Sequence, residues 1–589
     1  MDPISAAGIG LGVASLALQL FSGCIQGYQI FLDAAGMPED FEHLRVRMRI
    51  EQVRLLNWGE KAGLLEDMLE QPSVVLQLHR NLIIDILFEI QRLFKGCLKI
   101  KEKFDNLMPV RRSQTVDLVV QDSNSVSPRG INALLRRTLK VLEKTPQVPK
   151  RLQWAIVEQD KFEELIEKLI SYNDSVVSLL DRASIDQLHE MQVQTQLVML
   201  QLSNKIDDLK QLSLAMQVKT NTDTQLAYAY KSTWSISATA TSRSDDGTSL
   251  SQLAIFKVQQ TSIESHSLDQ SSRPIDRKLV TLASSSTSRS QATYRGEQVW
   301  VEWKEWDLNH QLPTWDSMIE ERVKKLAALL SLTDKPKEFR APICVGYFDE
   351  RDEDTARYGL IYNQPDNSAK AAVPTSLLDL IKTSEEPSLT QRTALAHTLT
   401  QSLLYLHSVN WLHKGFRSDN IVFFTPPNQT PDYATPIVSG FEYARPDLPE
   451  ELTEKPAENF SHDLYRHPDA LANPTSRSKK SWDIYSLGIV LFEIALWQPI
   501  SSIVSVHEGQ KGARTKLRKT RDRLLEDAFL RKLGARVGER YRDVVRRCIA
   551  GGASLGISDG TDESDPNVGA DMLQVFSAEI VGKLAGIQL

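Results

Sequence analysis

Side chains able to do chemistry concentrate in the C-terminal half of this 589-residue chain. Lys304 closes an alternating, β-prone run, Val299-Trp300-Val301-Glu302-Trp303-Lys304. Two polar stretches follow: His413-Lys414-Gly415-Phe416-Arg417-Ser418-Asp419-Asn420-Ile421-Val422 and Gly440-Phe441-Glu442-Tyr443-Ala444-Arg445. Carboxylate side chains can accept protons, which makes Asp419 and Glu442 the groups to follow. The N-terminal half offers neither metal-site spacing nor a nucleophile–base pair. Cys24, Cys97, Cys344 and Cys548 are scattered without C-x-x-C spacing. That argues against zinc ribbons and a disulfide framework and fits a reducing compartment.

By length the chain suggests two to four domains. With 41% hydrophobic and 25% charged residues it has material for more than one core. A formal net charge of −7 argues for neither nucleic acid nor an acidic substrate as partner. Residues 1–218 read as nearly all helix. Pro38-Glu39-Asp40 marks a helix start, Val74–Phe104 is apolar-periodic, and Leu152–Leu180 resumes the pattern after a broken stretch. Residues 185–216 read as one long, brace-like amphipathic helix, with Leu188, Leu202, Leu209 and Met216 on one heptad position. Residues 219–292 are Ser/Thr-rich and read as a linker running into the next domain, with an apolar island, Leu253–Val258, suited to docking on a neighbour. Residues 293–589 mix strand patterns with the apolar helices Ile319–Leu332, Leu395–Leu406 and Ile484–Leu496, and close on a helix at Met572–Ile587. The expected fold class is an N-terminal all-α bundle followed by a C-terminal, two-lobed α+β domain.

Roughly residues 275–555 resemble a protein kinase. The stretch at His413 is similar to H-R-D-L-K-P-x-N-I-L with Gly415 at the catalytic aspartate. The stretch at Gly440 is similar to D-F-G-L-A-R with Gly440 at the metal-binding aspartate. Kinase chemistry needs the first acid to accept the hydroxyl proton and the second to hold magnesium. Glycine does neither. Val301–Lys304 resembles V-A-I-K, Arg322 stands at the usual glutamate position of the next helix, and no G-x-G-x-x-G loop precedes Lys304. Pro468, Asp483 and Gly488 match kinase positions that hold the helical lobe together. The resemblance therefore implies a pseudokinase. ATP contact, through Lys304 and Asn420, would proceed without magnesium-dependent catalysis; no metal and no certain cofactor are implied.

From Pro3 to Leu32 there is no charged residue. As a helix that run would reach roughly 45 Å, long enough to cross a bilayer. Yet it carries six Ser or Gln side chains, and no basic region marks it as a secretory signal. Gly8, Gly12, Gly23 and Gly27 form small-xxx-small pairs among Leu16, Leu20 and Phe21. Such pairs let helices approach closely, in a membrane or within a bundle. Residues 129–151 add seven basic side chains against Glu143, either a solvated face or an attraction for anionic lipid. The Gly8–Ala14 start, Arg54–Glu60 and Leu152–Ala155 before Lys161–Leu165 together resemble the HeLo domain of fungal HET-S-type prion-inhibition and propagation proteins.

That resemblance implies a cell-death executor whose N-terminal helix is released to perforate membrane. The layout of bundle, brace and degenerate kinase is similar to mixed-lineage kinase domain-like proteins. The expectation is a non-catalytic signalling protein of the heterokaryon-incompatibility type, cytoplasmic and recruited to the plasma membrane on activation. Its implied partners are membrane lipid, further copies of itself and an upstream regulatory protein, with no nucleic acid. An atypical ATP-binding kinase using Asp419 or Glu442, and a scaffold with two docking domains, are the competing readings.

Overall fold

The computed structural model describes residues 9–32, 42–64, 74–99, 108–109, 150–151, 159–180, 182–213, 245–265, 273–283, 289–306, 315–351, 356–365, 372–426, 429–446, 459–473, 476–558, 561–563 and 565–587. They form two compact units, Met1–Ser251 and Gln252–Leu589. Gly8, Met216, Trp154, the proposed helix start at Pro38–Asp40 and most of the basic stretch 129–151 lie outside the described residues.

In the first unit, α1 (Ile9–Leu32) packs on α2 (Glu42–Lys61) and α3 (Val74–Lys99), and α4 (Gln159–Val177) closes the bundle. Phe21, Ile25, Tyr28, Phe31, Trp58, Leu87, Phe94 and Phe162 meet in its core. α3 bends at His79, which leaves helical geometry. The helix expected over 185–216 is instead broken. α5 (Arg182–Leu202) stops, residues 203–205 are non-helical, and 206–213 form a separate helix. Ser203 turns its hydroxyl back to the Met199 carbonyl, 2.9 Å away. Ser and Asn compete with the helix ladder in this way, so Ser203-Asn204 outweighs the heptad pattern across it.

The stretch read as linker contains α6 (Asp245–Ser265), which crosses from the first unit into the second. Its apolar island is buried: Leu253 and Ala254 are fully covered, and Phe256 packs on Phe339 and Trp411.

The second unit opens with an antiparallel sheet of β1 (Val280–Leu282), β2 (Arg289–Tyr294), β3 (Glu297–Glu305), β4 (Cys344–Asp349) and β5 (Arg357–Asn363), ordered β1-β2-β3-β5-β4. The β2–β3 hairpin turns on Arg295-Gly296, both at positive φ, as a tight two-residue turn requires. Between β3 and β4 runs α7 (Trp315–Leu330). The remainder is mainly helical, built around α8 (Leu377–Thr383), α9 (Leu389–Ser408), α10 (Lys480–Leu496), α11 (Asp527–Val537), α12 (Glu539–Ala550) and α13 (Pro566–Phe576). Small antiparallel strand pairs carry the two polar stretches: Trp411–Leu412 with Arg445–Pro446, and Ile421–Thr425 with Ile437–Val438 and Val373–Ser376. Gly488 allows α10 and α12 to approach closely, because a Cβ there would lie 2.8 Å from the Cys548 Cβ.

Candidate functional site

Strand β3 is the first element of the site. Alternation along it should send every second side chain to the core, yet Glu302 and Lys304 are both buried, at 3% and 2% exposure. A buried charge is costly unless paired. Glu302 meets Arg289, its cross-strand partner on β2, at 2.8 Å. The Lys304 ammonium sits 3.8 Å from the centre of the Tyr443 ring, a favourable cation–π position.

Arg289 does more than neutralise Glu302. One of its terminal nitrogens donates to the Asp419 carbonyl at 2.6 Å. The other donates to Asn420 Oδ1 at 2.8 Å and to the Ser439 hydroxyl at 2.7 Å. Asn420 returns its Nδ2 to the Gly415 carbonyl at 2.8 Å, and the Gly440 N–H donates to Glu302 Oε2 at 3.1 Å. The structure thus brings together Gly415, Asn420 and Gly440, with Lys304 over neighbouring Tyr443, around one internal ion pair. Arg289 and Glu302 were not among the residues singled out from sequence. The signal for them was Glu302, an acid set among Trp300, Val301 and Trp303, which needs a cation beside it once buried.

The two glycines differ. Gly440 is left-handed, with φ 81°, and a Cβ there would fall 1.9 Å from Asn420 Nδ2. Gly415 has its nearest neighbour 3.0 Å from a Cβ, the Gly440 carbonyl. The glycine at 440 is therefore required by packing, whereas the one at 415 is only tightly surrounded.

The acids that could replace the missing ones are already committed. Burial pushes the Asp419 carboxyl up, but Arg417 and His462 outweigh it and hold it well below the usual carboxylate range. Arg417 Nε donates to it at 3.0 Å. Such a carboxylate is a weak base. Burial raises Glu442, with Arg417 opposing and Glu302 adding to the rise. On α7, Glu320 and Glu321 pair with Lys324 and Lys325 one turn on.

Asp483 acts as an anchor. It accepts the His413 and Lys414 N–H groups at 2.8 Å each and lies 3.4 Å from His407 Nε2. His413 is buried, and its Nδ1 accepts the Gly415 N–H at 3.2 Å. Burial, outweighing the attraction of Asp483, lowers its pKa to about 4. Pro468 opens a short helix, Pro468–Ala472. An open groove of about 940 Å³ is lined by Lys414, Arg466, Trp482, Arg514 and Arg518 among others, and by neither Lys304 nor Asn420.

In the first unit the candidate segment is α1. Gly12 and Leu16 lie on its backbone. Phe21 is fully buried and Leu20 packs at the core's edge. Gly23 and Gly27 both face α3: a Cβ would lie 1.9 Å from Gln91 Nε2 and 2.2 Å from the Phe94 ring, respectively. Gln91 also donates to the Leu20 carbonyl at 2.9 Å. Polar contacts tie α1 down further. Asn173 Nδ2 reaches the Tyr28 hydroxyl at 3.1 Å and Glu51 Oε2 at 2.9 Å, and Gln52 donates to Gln29 at 3.2 Å. Among the described residues no helix is long and apolar enough to cross a membrane, and no cluster of His, Cys, Asp and Glu could hold a metal ion.

Comparison with known proteins divides the chain in the same sense. Residues 8–212 match the HeLo family model, described as prion-inhibition and propagation. Residues 344–585 match a model described only as a domain of unknown function, DUF7580. The chain is 25% identical over 179 residues to heterokaryon incompatibility protein S of Podospora anserina, covering 30% of this chain and 58% of that protein. It is 23% identical over 172 residues to heterokaryon incompatibility protein s of Podospora anserina, covering 29% of this chain and 57% of the relative. The chain thus spans little more than half the length of the curated relatives it matches. The N-terminal helices are a HeLo domain. The C-terminal half combines helices with antiparallel sheets, and its family match lends no support to a kinase assignment.

Proposed function

We propose that this chain is a non-catalytic cell-death signalling protein of the heterokaryon-incompatibility type. In this reading a kinase-like but inactive C-terminal unit restrains a membrane-active HeLo bundle. The observation that carries the death-signalling part is the HeLo match over residues 8–212, together with the two heterokaryon incompatibility relatives. The inactive C-terminal part is supported by Gly415 and Gly440, which supply no carboxylate, and by the Arg289–Glu302 pair, which holds Asn420 Oδ1 and the Gly440 N–H in its own hydrogen bonds. The protein resides in the cytoplasm, responds to an upstream regulatory protein, and on activation oligomerises at the plasma membrane through α1 and anionic lipid. The atypical-kinase alternative would need Asp419 or Glu442 as base, and Arg417 pairs with both carboxylates, at 2.8 Å and 3.7 Å.

Dye release from anionic liposomes tests the executor role. Residues 1–251 should release dye, the same unit lacking residues 1–32 should not, and the full chain should be slower than the isolated unit. A folded 1–251 unit that leaves liposomes intact at high protein concentration overturns the reading. A separate thermal-shift titration with ATP and magnesium should leave the full chain unmoved; a saturable stabilisation would return the second unit to the nucleotide binders.

A further inference from the structure

Helix α6 and the Arg289–Glu302 pair lie at two ends of one continuous line of contacts. Phe256 of α6 sits with its ring centre 5.6 Å from that of Trp411 and 4.9 Å from that of Phe339. Trp411 stacks at a tilt on Phe441, 5.2 Å away, and Phe441 contacts His413 at 4.6 Å. Phe256, Phe339 and Phe441 are at most 1% exposed, and so is Trp411. Phe441 directly follows Gly440, whose N–H is held by Glu302, which in turn holds Arg289. The Gly440 backbone has little room to move independently, since Asn420 Nδ2 occupies the place of its Cβ. Close-packed aromatic contacts of this kind rearrange between discrete states rather than deform smoothly.

We propose that α6 docking and the Arg289–Glu302 ion pair form one coupled switch, in which loosening either end loosens the other. Trp411 and Phe441 transmit the coupling. The boundary between the two compact units falls within α6. Lys325 on α7 reinforces the docked state through Glu264 of α6, at 3.0 Å. The inference concerns the second unit's own packing and stands whether or not the HeLo domain acts on membranes.

Hydrogen–deuterium exchange on the full chain tests it, comparing wild type with Glu302→Gln and Phe256→Ala. Glu302→Gln should speed exchange at the Gly440 amide and also, by roughly 10-fold, across residues 253–260 on α6. Phe256→Ala should speed exchange over Gly440–Tyr443 by a similar factor, because coupling between two sites is reciprocal. Unchanged protection in α10 would show that the fold is intact. If Glu302→Gln does not fold, Arg289→Lys serves instead: it keeps the charge and loses the forked donor geometry. Faster exchange at Gly440 with residues 253–260 unchanged would overturn the proposal. So would a Phe256→Ala protein that loosens α6 and leaves Gly440–Tyr443 at the wild-type rate.

Discussion

Gly415 and Gly440 both stand where the resembling motif has an aspartate, but their surroundings make them unequal. Gly440→Ala must relieve a 1.9 Å approach to Asn420 and hold a left-handed backbone. It should cost more than about 2 kcal/mol in urea denaturation. Gly415→Ala, with its nearest atom at 3.0 Å, should cost about 1 kcal/mol or less. Reinstating aspartate at 440 would therefore disrupt the site rather than restore a metal ligand. Two buried groups give opposite pH dependences. Burial lowers His413 from 6.5 to about 4, so the unfolded chain binds more protons between these values. His413 thus contributes stability that is present above pH 6.5 and lost as pH falls towards 4. Burial raises Glu493 from 4.5 to about 7, against the Ile500 N–H and Tyr465 hydroxyl that it accepts. Its contribution is present below pH 4.5 and lost as pH rises through 7. Glu493→Gln should remove that loss, gaining on wild type by roughly 1–3 kcal/mol between pH 4.5 and 7.5. Denaturation midpoints across that range that stay parallel for the two proteins would contradict it.

At the scale of elements, α1 is held both by close packing and by polar contacts. Gly23 and Gly27 bring it against α3, while Asn173 and Gln52 tie it down by hydrogen bonds that water could replace. Gly27→Leu should drive α1 from α3, because the Phe94 ring already fills the space. The expected result is a loss of several degrees in the melting temperature of the first unit, with increased liposome dye release if α1 is the active segment. Asn173→Leu leaves buried Glu51 short of a donor and should cost about 1–3 kcal/mol; a neutral result would mean that Arg54 alone satisfies that carboxylate. Helix α6 shows the limit of reading composition. Its Ser- and Thr-rich surroundings suggest linker, but Leu253 and Ala254 are buried and Phe256 packs on Phe339 and Trp411. Covering a ring of that size contributes roughly 1.5–3 kcal/mol, enough to help hold a helix whose flanks offer little.

For the whole molecule, each compact unit has its own apolar core, so calorimetry of the full chain should show two unfolding transitions. The isolated 1–251 unit should reproduce one of them; a single shared transition would mean that neither unit is stable alone. Much was readable from the chain before folding. The helical first half, the strand at Val299–Lys304 and the apolar helix at 484–496 follow from periodicity, which acts over a few residues. The HeLo resemblance rested on such short patterns, and so did the glycines at 415 and 440. The break at Ser203-Asn204 was local too, but the heptad pattern masked it. What only the tertiary structure decided is the company those residues keep. Arg289 meets Glu302 across 13 residues of sequence and Asn420 across 131, and Phe256 finds Trp411 only once α6 has docked. Burial then sets the charge state of His413 and Glu493, while Arg417 and His462 set that of Asp419. Such pairings depend on how strands and helices are brought together in space, and nothing in the local order of residues specifies them.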